Sequence, residues 1–118
     1  MLKRNPTSSP RRFGEFELDE RAAELHKRGR RIRLQEQPFR ILMMLLDRPG
    51  EVVTREEIRK RLWPNDTIVE FDASIGTAIR KLRQALSDDA ENPQFIETLP
   101  RRGFRFIYPR TGVRPQSL

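Results

Sequence analysis

The spacing of apolar positions changes along the chain and marks segments of different secondary structure. Between residues 13 and 34 apolar and charged residues alternate with a period of two, as at Phe16 and Leu18. Residues 27–30 contain a glycine among three basic residues and separate two such runs. Period-two alternation around a turn is typical of a hairpin, so this segment predicts a small antiparallel sheet of about three short strands.

A helical spacing of three and four residues follows and predicts three helices. The first begins near Pro38, ends at Pro49-Gly50 and has the apolar stripe Phe39, Leu42, Met43 and Leu46. The second begins at Thr54, because Thr54 and Glu57 have the spacing of a capping box, and it ends before Pro64. The third covers about 72–87, opens near Asp72 or Ser74, and has the inner stripe Ile75, Ile79, Leu82 and Leu86.

Strand periodicity returns over about 95–108, where a Pro/Gly-containing turn at 100–103 separates two apolar runs and predicts a hairpin with a basic tip. The predicted order is β-β-β-α-α-α-β-β, an α+β fold. Residues 1–12 are expected to form a flexible basic arm and residues 110–118 a polar tail. The ordered domain then covers 13–109.

The charge of the chain favours an anionic partner. Its 118 residues carry a formal net charge of +7 and have a pI near 10.9. Nucleic acid, an anionic membrane surface and an acidic protein all fit such an excess. The N-terminus lacks the apolar region of a signal peptide and no apolar run is long enough to span a membrane, so a cytoplasmic location is expected.

Few residues support catalysis or metal binding. The chain has no cysteine, which excludes a disulfide framework, a thiol nucleophile and cysteine-ligated zinc. Its single histidine, His26, lies in a predicted strand beside Lys27 and Arg28. The acidic residues at 66, 70 and 72 lack the EF-hand spacing, and no glycine-rich phosphate loop is present. We therefore expect no catalytic residues, no metal, no cofactor and no enzymatic activity.

The third predicted helix has a face suited to the major groove of DNA. Ser74, Thr77 and Ala78 are small enough for close approach, and the Ala78 methyl group fits a thymine methyl. Lys81 has the reach for guanine or a phosphate, and Arg80 and Arg83 for phosphates. The alternative is an ordinary surface helix with a solvated basic face.

Two further features are candidate DNA contacts. Arg101 and Arg102 form the tip of the predicted hairpin, where paired cations suit a narrow minor groove. Thr54, Arg55 and the amides at the start of the second helix can hold a phosphate, since a helix N-terminus attracts anions. A cap without a ligand explains that helix start equally well.

The sequence resembles the OmpR/PhoB-type winged-helix family, including its membrane-tethered CadC/ToxR-like members. The match covers about 13–109 and depends on three stretches. TREEIRKRLW at 54–63 is similar to the family's second helix, IRKLRQAL at 79–86 to its recognition helix, and IETLPRRGFRF at 96–106 to its wing.

The resemblance implies sequence-specific binding of double-stranded DNA and regulation of transcription, with the third helix in the major groove and the wing at the minor groove. It implies a four-stranded N-terminal sheet, a role for the loop 64–71 in touching RNA polymerase or positioning DNA, and head-to-tail dimers on direct repeats. The positions that match family DNA contacts are Ser74, Ala78, Arg80, Lys81, Arg83, Thr98, Arg101 and Arg102.

The chain departs from the family pattern at several points. Gln35 stands where Ser or Thr often caps the first helix, and Phe104 replaces a tyrosine. Ala78 is smaller than the usual residue. A receiver domain needs about a hundred further residues, so we expect this module to stand here without one. The competing hypothesis is a winged helix whose basic face binds an acidic protein.

Overall fold

The computed structural model describes residues 11–63 and 71–108, with side chains in the third helix described from Ala73 onward. In chain order the strands and helices are β1 (Arg11–Phe13), β2 (Phe16–Asp19), β3 (Glu24–Lys27), β4 (Arg30–Ile32), α1 (Glu36–Asp47), β5 (Val52–Thr54), α2 (Arg55–Leu62), α3 (Phe71–Leu86), β6 (Ile96–Leu99) and β7 (Gly103–Phe106). The α+β class, three helices and terminal hairpin are confirmed. The count of about three N-terminal strands was wrong, and β5 was not predicted.

The chain divides into two compact units, and the N-terminal unit contains residues 11–34 together with Tyr108. Its sheet has four strands, as the resemblance implied, and they lie in the order β1-β2-β3-β4 with all pairs antiparallel. The predicted turn at 27–30 has Arg28 and Gly29 at its centre with φ of 52° and 83°. Two consecutive positive φ values fit a two-residue hairpin loop whose twist matches that of the flanking strands.

The second unit, which we term the helical unit, contains the described residues between Gln35 and Ile107. It combines the three helices with a three-stranded sheet of order β5-β7-β6. Its core is apolar, and nine of its large side chains are less than 2% exposed: Ile41, Leu42, Leu45, Ile58, Ile75, Leu82, Leu86, Ile96 and Phe106. The predicted inner stripes of α1 and α3 supply four of these, Leu42, Ile75, Leu82 and Leu86, so the helical periodicity located this core correctly.

The ends of α1 show how each local sequence starts and stops the helix. Gln35 occupies the N-cap position but makes no side-chain capping hydrogen bond, as its residue type predicts. Pro38 lies in the first turn, where the missing N–H removes no intrahelical bond. The buried face is wider than predicted, because Ile41 and Leu45 are fully buried whereas Met43 is only half-buried.

Helix α3 begins at Phe71, so neither Asp72 nor Ser74 is its N-cap as predicted. Its end is closed by backbone geometry. Ser87 has φ of 58°, and the amide of Asp88 donates to the carbonyl oxygen of Arg83 at 2.8 Å. A left-handed residue with this hydrogen bond is a Schellman-type ending, which satisfies a carbonyl that would otherwise lack a partner.

None of the helices in the described ranges combines the length and the apolar character that crossing a membrane requires. Those ranges also contain no cluster of three or more potential metal-binding side chains.

Strand β5 joins the start of α2 to the hairpin of β6 and β7, because Val53 pairs with Phe104 and Thr54 with Gly103. The backbones approach closely at this point. A Cβ atom added to Gly103 would lie 2.1 Å from the carbonyl oxygen of Val53, and Gly103 has φ of 154°. Only glycine fits here.

We predict that Gly103→Ala lowers the free energy of unfolding by more than about 2 kcal/mol, through backbone strain and the clash with Val53. Urea unfolding followed by circular dichroism measures the change. Gly76→Ala is the matched control: its added Cβ meets nothing within 4 Å. Alanine at this helical position should raise stability by about 1 kcal/mol. Equal effects of the two substitutions would contradict the assigned close approach.

Candidate nucleic-acid interface

The exposed side of α3 is basic and carries no acidic residue from Ala73 to Ser87. Thr77, Arg80 and Lys81 are exposed, as predicted, and Ser74 is half-buried beside them. Ile75, Ile79 and the other stripe residues are buried on the opposite side. The helix therefore presents hydroxyl and cationic groups to solvent on the face opposite its buried apolar stripe.

Ala78 is only 3% exposed, which corrects its predicted place on this face. It lies with Ala73 in the lining of a shallow cleft between the start of α1 and the first half of α3. The volume of this cleft is about 280 Å³. The expected contact between the Ala78 methyl group and a thymine methyl does not fit this burial, since the methyl group already packs inside the domain.

The cleft brings together two residues that are 46 positions apart in the sequence. The ammonium group of Lys81 donates a hydrogen bond to Oε1 of Gln35, with Nζ and Oε1 2.8 Å apart. Gln37, Ser74 and Thr77 also line the cleft. In the sequence Gln35 stands out only as a residue at the helix-cap position where Ser or Thr is common, and no local pattern indicates that it reaches α3.

Arg83 connects α3 to the hairpin, which differs from its predicted role as a phosphate contact. Its Nη2 atom donates to the carbonyl oxygen of Ile96 and to Oγ1 of Thr98, each at 2.8 Å. Burial lowers the pKa of Arg83, against the opposing effect of the nearby carboxylates of Asp88 and Asp89. Its Nε atom is buried without a hydrogen-bond partner among the described residues. Arg83 and Thr98 therefore serve first to position β6.

Asp88 makes a second connection between the end of α3 and the hairpin. Its carboxylate accepts hydrogen bonds from the backbone amides of Gln94 at 2.7 Å and Ile96 at 2.9 Å. Amides at the start of a strand otherwise lack partners, so one carboxylate fixes the entry into β6. The sequence predicted only that the third helix ends at about residue 87, and it gave no indication of this role for Asp88.

The tip of the hairpin presents two arginine side chains to solvent, as predicted. Leu99 to Arg102 form a turn in which the amide of Arg102 donates to the carbonyl oxygen of Leu99 at 2.9 Å. Pro100 suits the second position of this turn, and Arg101 occupies the third with φ of 63°. Among the described residues neither Arg101 nor Arg102 has a side-chain partner, and both are exposed.

The acidic residue of the hairpin does not neutralise this tip. Glu97 is the cross-strand partner of Arg105, whose Nε donates to Oε1 of Glu97 at 2.8 Å. Cross-strand pairing of opposite charges stabilises a hairpin. Arg101 and Arg102 thus keep their charge available.

The start of α2 is a complete capping box. Oγ1 of Thr54 accepts from the amide of Glu57 at 3.1 Å, and the Glu57 carboxylate accepts from the amide of Thr54 at 2.8 Å. The amide of Arg55 donates to the carbonyl oxygen of Arg102. These amides are occupied, which favours the alternative of a cap without a bound phosphate over the predicted anion site.

Arg55 and Glu57 connect this helix start to its neighbours. The guanidinium of Arg55 lies over the ring of Phe104, 5.2 Å from its centre, and Arg48 donates to the Glu57 carboxylate at 3.0 Å. The hydrogen bond from the Thr54 amide and then Arg48 lower the pKa of Glu57 below its ordinary value. Phe104 is 2% exposed.

The loop expected at 64–71 lies outside the described residues, apart from Phe71 at the start of α3. The predicted arm at 1–12 lies outside the described residues except for Arg11 and Arg12, which both belong to β1. The predicted tail at 110–118 lies wholly outside them.

The family model for "Transcriptional regulatory protein, C terminal" matches residues 29–106, more than half of the chain. This chain belongs to that family. The predicted OmpR/PhoB-type resemblance is confirmed, and the family is one of transcription-regulator domains and not of enzymes.

An individual relative agrees with this assignment. The "Cholera toxin homolog transcriptional activator" of Vibrio parahaemolyticus is 40% identical over 86 residues, which are 73% of this chain and 30% of that protein. The chain thus spans less than a third of the length of this relative.

Two solved structures share the fold. The Klebsiella pneumoniae RstA DNA-binding domain, solved with the RstA box, is 28% identical with a TM-score of 0.72, and the match covers 83% of this chain and 96% of that one. The DNA-binding domain of Escherichia coli CadC is 27% identical with a TM-score of 0.69, covering 86% and 95%.

We predict that Arg83→Met lowers stability by about 1–2 kcal/mol and speeds amide hydrogen exchange in β6, because the carbonyl oxygen of Ile96 loses its donor. Hydrogen exchange followed by mass spectrometry measures the change. Arg80→Met is the control, since Arg80 is exposed on the same helix and has no side-chain partner among the described residues. Unchanged exchange in β6 would show that Arg83 does not position the strand.

We predict that Glu57→Gln weakens the dependence of stability on acidic pH. A carboxyl group whose pKa falls on folding stabilises the fold at any pH above its pKa in the unfolded chain, which is near 4.5. This contribution to stability is lost as the pH drops through the pKa of the folded state. Chemical unfolding from about pH 6 down to about pH 3 tests this. Glu91→Gln, at an exposed position, is the control and should retain the wild-type profile.

Proposed function

We propose that this domain binds double-stranded DNA in a sequence-specific manner and regulates transcription. The observation that carries the proposal is the exposed basic face of α3 beside a hairpin whose two tip arginines have no partner in the described ranges. Family membership and the RstA domain solved with its DNA box support the same function.

In the proposed complex α3 lies in the major groove as the recognition helix. An α-helix fits the width of this groove, where base edges present distinguishable donors and acceptors. Lys81 and Thr77 are the proposed base-reading residues, and Ser74 flanks them. Arg80, exposed on the same helix, contacts a phosphate.

The hairpin of β6 and β7 acts as the wing and places Arg101 and Arg102 at the minor groove. Cations are attracted to this groove, most strongly where it is narrow. Arg83, Thr98 and Arg55 hold the wing in place. Any contact of these three with phosphates is secondary to that role, and Ala78 supports the helix from beneath.

The full protein's partners are also proposals. We propose that the loop at 64–71 contacts RNA polymerase or positions DNA, and that two copies bind direct repeats head to tail. We also propose that the domain acts in the cytoplasm, where a DNA ligand is accessible to it. Binding of an acidic protein by the same basic face is the alternative, and the absence of catalytic activity is part of the proposal.

Arg101→Ala/Arg102→Ala is expected to weaken binding to all duplexes and to lower the slope of log affinity against log salt by about 1 for each lost phosphate contact. Fluorescence anisotropy with a random-sequence duplex at several salt concentrations measures this. Arg21→Ala/Arg30→Ala removes the same charge from exposed positions of the N-terminal unit and is the control. Negligible wild-type binding at low salt would refute DNA binding and favour the acidic-protein alternative.

Lys81→Ala is expected to change base preference at one position of a selected site, with a loss of discrimination of about 1–3 kcal/mol. Selection from a randomised duplex library, followed by anisotropy on the selected sites, measures it. Arg80→Ala is the comparison and should weaken binding to selected and random duplexes alike. Equal losses on every sequence from Lys81→Ala would remove its base-reading role.

A further inference from the structure

The side chain of Gln35, the N-cap residue of α1, is directed toward α3 and not toward the first turn of its own helix. Gln35 has the extended backbone of an N-cap, with φ of −70° and ψ of 167°, yet its side chain makes no capping bond. Instead its Oε1 accepts from Lys81 of α3 at 2.8 Å.

This choice of residue disagrees with the local rule for helix starts. Ser, Thr, Asp and Asn satisfy a first-turn amide and stabilise a helix relative to residues that do not cap. The capping box at Thr54 shows that the same chain meets this rule at α2. Positions where a sequence departs from a local rule are expected at functional sites, where stability gives way to another requirement.

The geometry leaves Lys81 able to bind DNA while its position is restricted. An ammonium group has three N–H donors, and Gln35 takes one, so two remain. Guanine presents two acceptors, O6 and N7, at its major-groove edge. Lys81 is exposed and no carboxylate is its partner in the described ranges, so its charge is not cancelled. A neutral acceptor such as Gln35 directs the ammonium group without neutralising it.

We propose that Gln35, which lies outside the recognition helix, determines base preference by holding the Lys81 ammonium group toward base edges and away from the phosphates. The proposal rests on the proposed DNA binding through α3. Gln35 is a positioning residue: it orders a long side chain before DNA arrives, which lowers the entropy loss on binding. An unheld Lys81 reaches phosphates as well as bases and discriminates less.

The experiment is base selection and anisotropy on the full chain carrying Gln35→Met or Gln35→Ser. Methionine preserves side-chain length without the acceptor, and serine adds a helix cap while removing the reach to Lys81. Both variants should reduce discrimination at the position read by Lys81 by about two- to tenfold. Affinity for random duplex should not fall and the salt slope should not decrease, because no charge is lost and the released ammonium group can still reach a phosphate.

Stability separates positioning from a structural effect. Gln35→Ser should raise the midpoint of thermal unfolding, because the hydroxyl caps α1, while base discrimination falls. Loss of discrimination from damage to the fold would instead accompany lower stability. Gln37→Met is the matched control: Gln37 lines the same cleft and is exposed, but makes no hydrogen bond with Lys81. It should leave base preference unchanged.

A double-substitution cycle completes the test. In the Lys81→Ala background, Gln35→Met should cause no further change in base preference, since Gln35 acts through Lys81. The proposal is overturned if Gln35→Met and Gln35→Ser retain the wild-type preference, or if their effect persists without Lys81. Failure of the proposed function looks different, because the wild type itself would then not bind duplex DNA or Lys81→Ala would not alter preference.

Discussion

The pairing of β5 with β7 is the constraint on which the rest of the helical unit depends. Three residues, Val52–Thr54, form a strand that ends directly at the N-cap of α2, so the helix begins where the sheet ends. The close approach of Gly103 to the carbonyl oxygen of Val53 brings the hairpin against this point. The same stretch of backbone therefore defines both the direction of α2 and the attachment of the wing.

The other strand of the wing, β6, is attached to the C-terminal end of α3. Arg83 and Asp88, at the end of α3, bind the carbonyl and amide groups of β6. Because each wing strand is connected to a different helix, the tip arginines extend from a base that is held on both sides. A rigid support of this kind lets exposed, flexible side chains meet DNA in a defined position, which loops on a firm scaffold generally achieve.

The periodicity of apolar residues predicted the helices, the wing and most of the core, because burial of one face imposes a regular spacing. It did not predict β5, which is too short to show alternation and whose Thr54 also satisfies the pattern of a helix cap. The exposed cations of α3 were predicted from their positions opposite its apolar stripe, and those of the hairpin tip from the Pro/Gly turn. Contacts between distant residues, such as those of Gln35 and of Arg83, have no local signature, and Ala78 shows that a small residue on a helix flank cannot be assigned to solvent or core from spacing alone.

The conformation of Arg101 has a consequence for attempts to make this domain more robust. A left-handed residue after proline in such a turn is normally glycine or asparagine, and an arginine there is conformationally unfavourable. Substitutions chosen for thermal stability alone will therefore favour glycine at this position and delete one of the two cations at the tip. Variants selected in the laboratory for heat resistance, without selection for binding, should therefore be more stable but should bind their ligand with lower affinity.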